Sequence, residues 1–215
     1  MVTNTDKIQL GMEWDGGSKT DYLKGKMDEV RIWTDIRTKD EIKKNMYKTL
    51  VGNETDLLAY YKFDQTTESY LPDVSQNDNQ GQLVGFGLSG TSSNWVESNA
   101  SIIDKASAPQ LAGPGNCLAF DGADDYVDLS ALSSDLAGED LTFEAWVNNS
   151  TLSTAKEAIF CINTSTGGNQ ILLFNNHLWE QNATSGNQQH NISNITDGKW
   201  HHVALVLESG ESYRL

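Results

Sequence analysis

The densest set of hard-cation ligands in this chain is "FDGADDYVD", which places Asp121, Asp124, Asp125 and Asp128 within eight residues. A calcium loop of the EF-hand type would need Gly at its sixth position and Glu at its twelfth. Neither is present, so Asp121-Gly122 reads as a turn with Asp124 and Asp125 as its solvated shoulder. A single carboxylate elsewhere is more pointed. In "MDEVRIW", Asp28 alternates in phase with Val30 and Ile32, which predicts a carboxylate on the core face. A buried carboxylate needs a strong partner. Ca²⁺ is one candidate, because hard cations take carboxylate and carbonyl oxygens; an arginine or a backbone-bonded cap is another.

Other polar groups offer binding rather than catalysis. In "NNHLWEQNATSGNQQHN", Trp179 supplies a ring that can stack on a sugar, and Asn175, Asn176 and Gln181 supply amides for its hydroxyls. The same composition also suits an ordinary long loop. His201 and His202 are adjacent on a strand-like run, so they point to opposite faces and cannot share one ion. No G-x-S-x-G, H-E-x-x-H or phosphate-binding loop occurs, nor the alternating Glu-x-Asp-x-x-Glu run of sandwich glycosidases. The expectation is a protein without catalytic function.

The elements that must carry these groups are mostly strands. "LTFEAWV" alternates, with Leu141, Phe143, Ala145 and Val147 on one face and Thr142, Glu144 and Trp146 on the other. "HHVALVLE" sets Val203, Leu205 and Leu207 against His202, Ala204 and Val206. "AIFCI", "QILLF" and "LLAYYKF" are short apolar runs between Gly- and Asn-rich turns, the pattern of buried strands. One helix is predicted after Thr38, whose hydroxyl and the Glu41 carboxylate form a capping box.

Charge and cysteines narrow the setting. The 215 residues carry 30 acidic and 15 basic side chains, a net charge of −15. Such a surface repels phosphate backbones and anionic lipid, which argues against nucleic-acid partners and membrane insertion. No apolar run reaches the ~20 residues of a membrane-spanning helix. Cys117 and Cys161 sit in apolar runs where a small hydrophobe would serve, although a disulfide between them is open to the sequence. No leader is visible at the start, so the chain reads either as cytoplasmic or, the preferred reading, as a piece of something longer.

"NCLAFDGADDYVDLS", "LTFEAWV" and "DGKWHHVALVLESG" resemble, in that order, the opening half of laminin-G-like, concanavalin A-like lectin/glucanase modules. "KIQLG", "GKMDEVRIWTDIRTKDEI" and "LLAYYKFDQ" resemble the closing half, which here comes first. The resemblance implies an all-β, antiparallel β-sandwich of jelly-roll type with one short helix. It divides the chain into a closing half (1–96), a linker (97–115) poor in aromatics, and an opening half (116–215). Either the halves close on each other as a circularly permuted sandwich, or they complete those of neighbouring molecules by head-to-tail self-association. A 19-residue linker reaches about 24 Å, compatible with same-chain closure, the preferred reading.

The resemblance further implies a tandem repeat of a secreted or cell-surface protein, acting in recognition or adhesion towards a glycan or a surface protein. A structural calcium joining the last strand to the first is also implied, with Asp28 and Asp64 as its candidate ligands. A carbohydrate-binding module of an extracellular hydrolase and a purely structural repeat are the alternatives.

Overall fold

The computed structural model describes residues 6–15, 17–66, 68–102, 115–150, 155–164, 167–174, 177–182, 186–190, 195–208 and 211–214. The first block of the chain contributes strands β1 (Lys7–Leu10), β2 (Glu13–Asp15), β3 (Ser18–Thr20), β4 (Lys24–Trp33), β5 (Leu57–Tyr61), β6 (Tyr70–Leu71), β7 (Gly81–Val84) and β8 (Trp95–Glu97). Helix α1 (Lys39–Asn45) lies between β4 and β5. The second block contributes β9 (Asn116–Asp121), β10 (Tyr126–Asp128), β11 (Leu141–Asn148), β12 (Glu157–Thr164), β13 (Gly167–Phe174), β14 (His177–Asn182), β15 (Gly186–His190), β16 (Trp200–Glu208) and β17 (Glu211–Arg214).

Two antiparallel sheets form from these strands. One has eight strands in the order β15-β14-β13-β12-β1-β10-β7-β6. The other has the order β17-β16-β11-β4-β9-β8, with β5 also paired to β4. Both sheets draw on both blocks. Strand β1 lies between β10 and β12, and β4 lies between β11 and β9, so each block supplies edges that the other pairs. Strand β4 is long enough to carry two partners on one edge: residues 24–27 pair with β9, and 30–33 with β5.

The inner faces meet in one core, as the alternation requires. Ile8, Leu10, Val127, Phe160, Ile162 and Ile171 come from the eight-stranded sheet. Val30, Ile32, Phe143, Ala145, Val147, Val203 and Leu205 face them from the other. Phe143 and Phe160 stack across the layers with centroids 4.3 Å apart and planes 12° apart. This is the expected antiparallel all-β sandwich of concanavalin A-like type.

A third, two-stranded sheet is the β2–β3 hairpin. Gly11 launches it at φ +79°, and an added Cβ there would lie 2.4 Å from the Phe120 ring. Only glycine meets both demands. The predicted capping box is present: Thr38 Oγ1 accepts from the Glu41 amide while the Glu41 carboxylate accepts from the Thr38 amide at 2.8 Å. The segment expected to join the blocks is packed at its start. Ser98 is buried against Asp28 and Ala100 is buried close by, whereas 103–114 lie outside the described residues. Cys117 and Cys161 are both buried, one in each main sheet, and no disulfide joins them.

Candidate functional site

Asp28 is buried, but not on the face that strict alternation predicts. It sits opposite Trp146 in the β4–β11 register, while Met27, opposite Val147, enters the core with Val30 and Ile32. The cause is a bulge. Glu29 adopts φ +52°, and the register slips between Glu144 and Trp146. One extra residue reverses the phase of everything before it. Asp28 therefore faces outwards, where Ser98 covers it and donates its hydroxyl to Oδ2 at 2.5 Å. Burial, with smaller contributions from the Glu29 and Asp64 charges, raises the Asp28 pKa to about 8.

Asp64 lies just beyond β5 and is exposed, its Oδ1 accepting from the Asn116 amide at 3.3 Å. The structure thus brings the two predicted carboxylates to one junction, where β5 and β9 follow each other along β4. Two carboxylates and the Ser98 hydroxyl are oxygen ligands of the kind a hard cation accepts. No cationic side chain is bonded to Asp28 among the described residues, so the donor set fits such an ion in type.

The acidic turn also converges: carboxylate oxygens of Asp121, Asp124 and Asp125 lie within 4.8 Å of one another. Its hydrogen bonds explain it without an ion. Asp125 Oδ2 accepts from the Asp121 amide at 2.9 Å and Asn94 Nδ2 at 3.0 Å, and Asp121 Oδ1 accepts from the Ala123 amide at 2.7 Å. Burial raises the Asp125 pKa to about 6.

Of the expected sugar-facing residues, Trp179 and Gln181 fall on a strand rather than in a long loop. Trp179 is half-buried in the middle of β14, and its neighbour Leu178 is buried in the core. Trp179 is thereby directed to the outer face of the eight-stranded sheet. Gln181 lies two positions further along the same strand, in register with Gln170 and Asn187. Asn175 and Asn176 lie outside the described residues.

Sequence reasoning missed a buried polar cluster. It occupies the outer face of the seven-stranded sheet, beneath α1 and the segment that follows it. Arg31, fully buried, donates to Glu29 Oε2 at 3.1 Å, to the Asn45 carbonyl at 3.0 Å and to the Lys48 carbonyl. Tyr60 donates to the same Glu29 oxygen at 2.5 Å. Trp33 Nε1 donates to Glu144 Oε1 at 2.8 Å, and Trp146 Nε1 to the Met46 carbonyl at 2.8 Å. His202 Nε2 stands 3.4 Å from Glu144 Oε2. Burial and the Arg31 charge lower the His202 pKa to about 3, so this is a contact with neutral imidazole and not an ion pair. Burial raises the Glu144 and Glu29 pKa values, with Arg31 opposing both shifts. The available signal was cross-strand complementarity: Arg31 and Glu144 each interrupt an apolar run, on strands that pair.

The family model for the concanavalin A-like lectin/glucanases superfamily, of laminin G type, matches residues 121–215. Over residues 121–215 the chain is similar to that superfamily. No curated protein and no solved structure matches the chain. The laminin-G-like assignment covers β10 to β17 and the last residue of β9, and every one of these strands except the short β10 is longer than three residues. Lectin-like or adhesive binding is what the family supports, and its domains are typically extracellular. Among the described residues no helix is long and apolar enough to cross a membrane.

Proposed function

We propose that the chain is a non-catalytic recognition module of a secreted or cell-surface protein, binding glycan on the outer face of its eight-stranded sheet. One observation carries this reading. The outer face of the seven-stranded sheet is roofed by α1, whereas Trp179 stands half-exposed on the opposite side of the molecule. An indole ring in that position offers an apolar face to the C–H side of a sugar, and the Gln181 position is on the same strand. A glycan array probed with the native chain and with Trp179→Ala is the test. Glycan signals that the substitution abolishes support the reading; an array without signals removes it.

Calcium is a second element of the proposal. Asp28 and Asp64, with the Ser98 hydroxyl, would hold the ion, which supplies countercharge to a buried carboxylate and ties β4 to the segment before β9. Interleaving of the two blocks in both sheets favours reading 1–96 and 116–215 as closing and opening halves of one permuted sandwich. Thermal melting with and without a chelator, at two protein concentrations, tests both points. A midpoint indifferent to chelation removes the metal. A midpoint that rises with concentration replaces same-chain closure with head-to-tail completion between molecules.

A further inference from the structure

The outer face of the eight-stranded sheet carries a cross-strand row far from Trp179 in strand order. Tyr70 pairs with Gln82, Gln82 with Asp128, and Asp128 with Gln9, so the row crosses β6, β7, β10 and β1. Their neighbours Leu71, Val127, Ile8 and Leu10 are buried in the core and Leu83 packs against it, which turns all four row residues outwards. Four strands at the usual spacing make the row about 15 Å long.

Its composition is mixed in a specific way. Tyr70 is 42% exposed, one of three large hydrophobic residues so exposed among those described. Gln82 is exposed beside it, and Asp128 is half-buried with Oδ1 accepting from the Ser130 amide at 2.9 Å. Gln9 closes the inner end, 2% exposed, and its Oε1 has no hydrogen-bond partner.

The β2–β3 hairpin walls that end. Lys19 Nζ donates to the Tyr126 hydroxyl at 2.8 Å and lies 4.6 Å from the Tyr126 ring centroid and 5.8 Å from that of Trp14. Asp128 is close enough for its charge to add to the effect of the Tyr126 hydroxyl on Lys19. Trp14 remains half-buried and Lys19 exposed.

We propose that this row is a binding site for a neutral glycan chain laid across β6, β7 and β10, with a sugar ring against Tyr70 and hydroxyls on Gln82, Asp128 and Lys19. Sugar hydroxyls both donate and accept. They match a set in which Gln82 does both, Asp128 accepts and Lys19 donates. A polyanionic chain fits poorly, because Asp128 stands in the row and the protein carries a net charge of −15. The inference rests on the lectin-like reading above but not on Trp179.

The test is calorimetric titration of the full chain with gluco-, manno- and xylo-hexaose, and with an oligogalacturonate as the acidic probe. Native protein is compared with Tyr70→Ala, Gln82→Ala and Trp179→Ala. Tyr70 and Gln82 are exposed, so these variants keep the native fold, checked by an unchanged melting midpoint. The expected result is binding of at least one neutral hexaose, weakened about tenfold by Tyr70→Ala and also by Gln82→Ala. Loss with Trp179→Ala alone overturns the row while leaving glycan recognition standing. Binding of the acidic probe in preference overturns the neutral ligand. Binding of no probe overturns the row and the glycan reading together.

Discussion

Strand β4 turns Arg31 and Trp33 outwards from one sheet, and strand β1 turns Lys7 and Gln9 outwards from the other, yet α1 roofs only the first pair. On the roofed face, ionisable groups are sealed from water and must satisfy one another. Arg31 and Trp146 donate to carbonyls at and after the end of α1, and the Asn45 carbonyl accepts from the Lys48 amide as well as from Arg31. That arrangement fixes a segment in place, and each removed partner strands another buried group. On the open face, Tyr70 and Gln82 are exposed and Trp179 is half-buried. The contrast separates residues that hold the module together from residues that meet something outside it.

The comparison breaks most visibly at Arg31. Arg31→Met should destabilise the protein by about 3–5 kcal/mol in urea unfolding, because Glu29 and two carbonyls lose a donor at once. A loss below 1 kcal/mol would mean that the roofed face is not the structural one. His202 sharpens the same face through pH. Its folded pKa of about 3 lies below the ordinary value of 6.5, so the unfolded state binds the extra proton first. Stability tied to His202 is complete above pH 6.5 and is lost progressively down to pH 3. His202→Gln should flatten the acid limb of the melting midpoint against pH relative to native protein.

Smaller effects follow at the margins. Thr38→Ala removes the α1 cap and should cost about 1 kcal/mol, read by the same unfolding curve. Tyr70→Ala should change stability by less than about 0.5 kcal/mol, since Tyr70 is a surface residue, 42% exposed, on a short strand. A larger loss would turn Tyr70 into a structural residue and merge the two faces in kind.

Much of this was legible in the sequence, and the failures have one physical root. Leu141, Phe143, Ala145 and Val147 lie inward as their alternation demands, and Thr38 with Glu41 caps the helix that follows. Alternation was also a sound guide to β4 from Val30 onwards. It failed at Asp28, because one residue in a left-handed conformation resets the phase and a glutamate there leaves no mark in composition. The stretch around Trp179 is rich in Asn and Gln, residues that favour turns or carry little strand signal, yet it forms β14, paired to β13, and β15, paired to β14. The Arg31–Glu144 cluster was readable only once two strands 111 residues apart in sequence, as Trp33 and Glu144 are, had been set side by side.

Cys117 on β9 and Cys161 on β12 place one buried thiol in each layer of the sandwich. Burial pushes the Cys117 pKa up to about 12, so the reactive thiolate is scarce until the layer opens. A pulse of alkylating reagent therefore times the opening of each layer separately within one native molecule. Equal modification rates at the two sulfurs would report a single cooperative unit. Unequal rates would reveal which layer yields first.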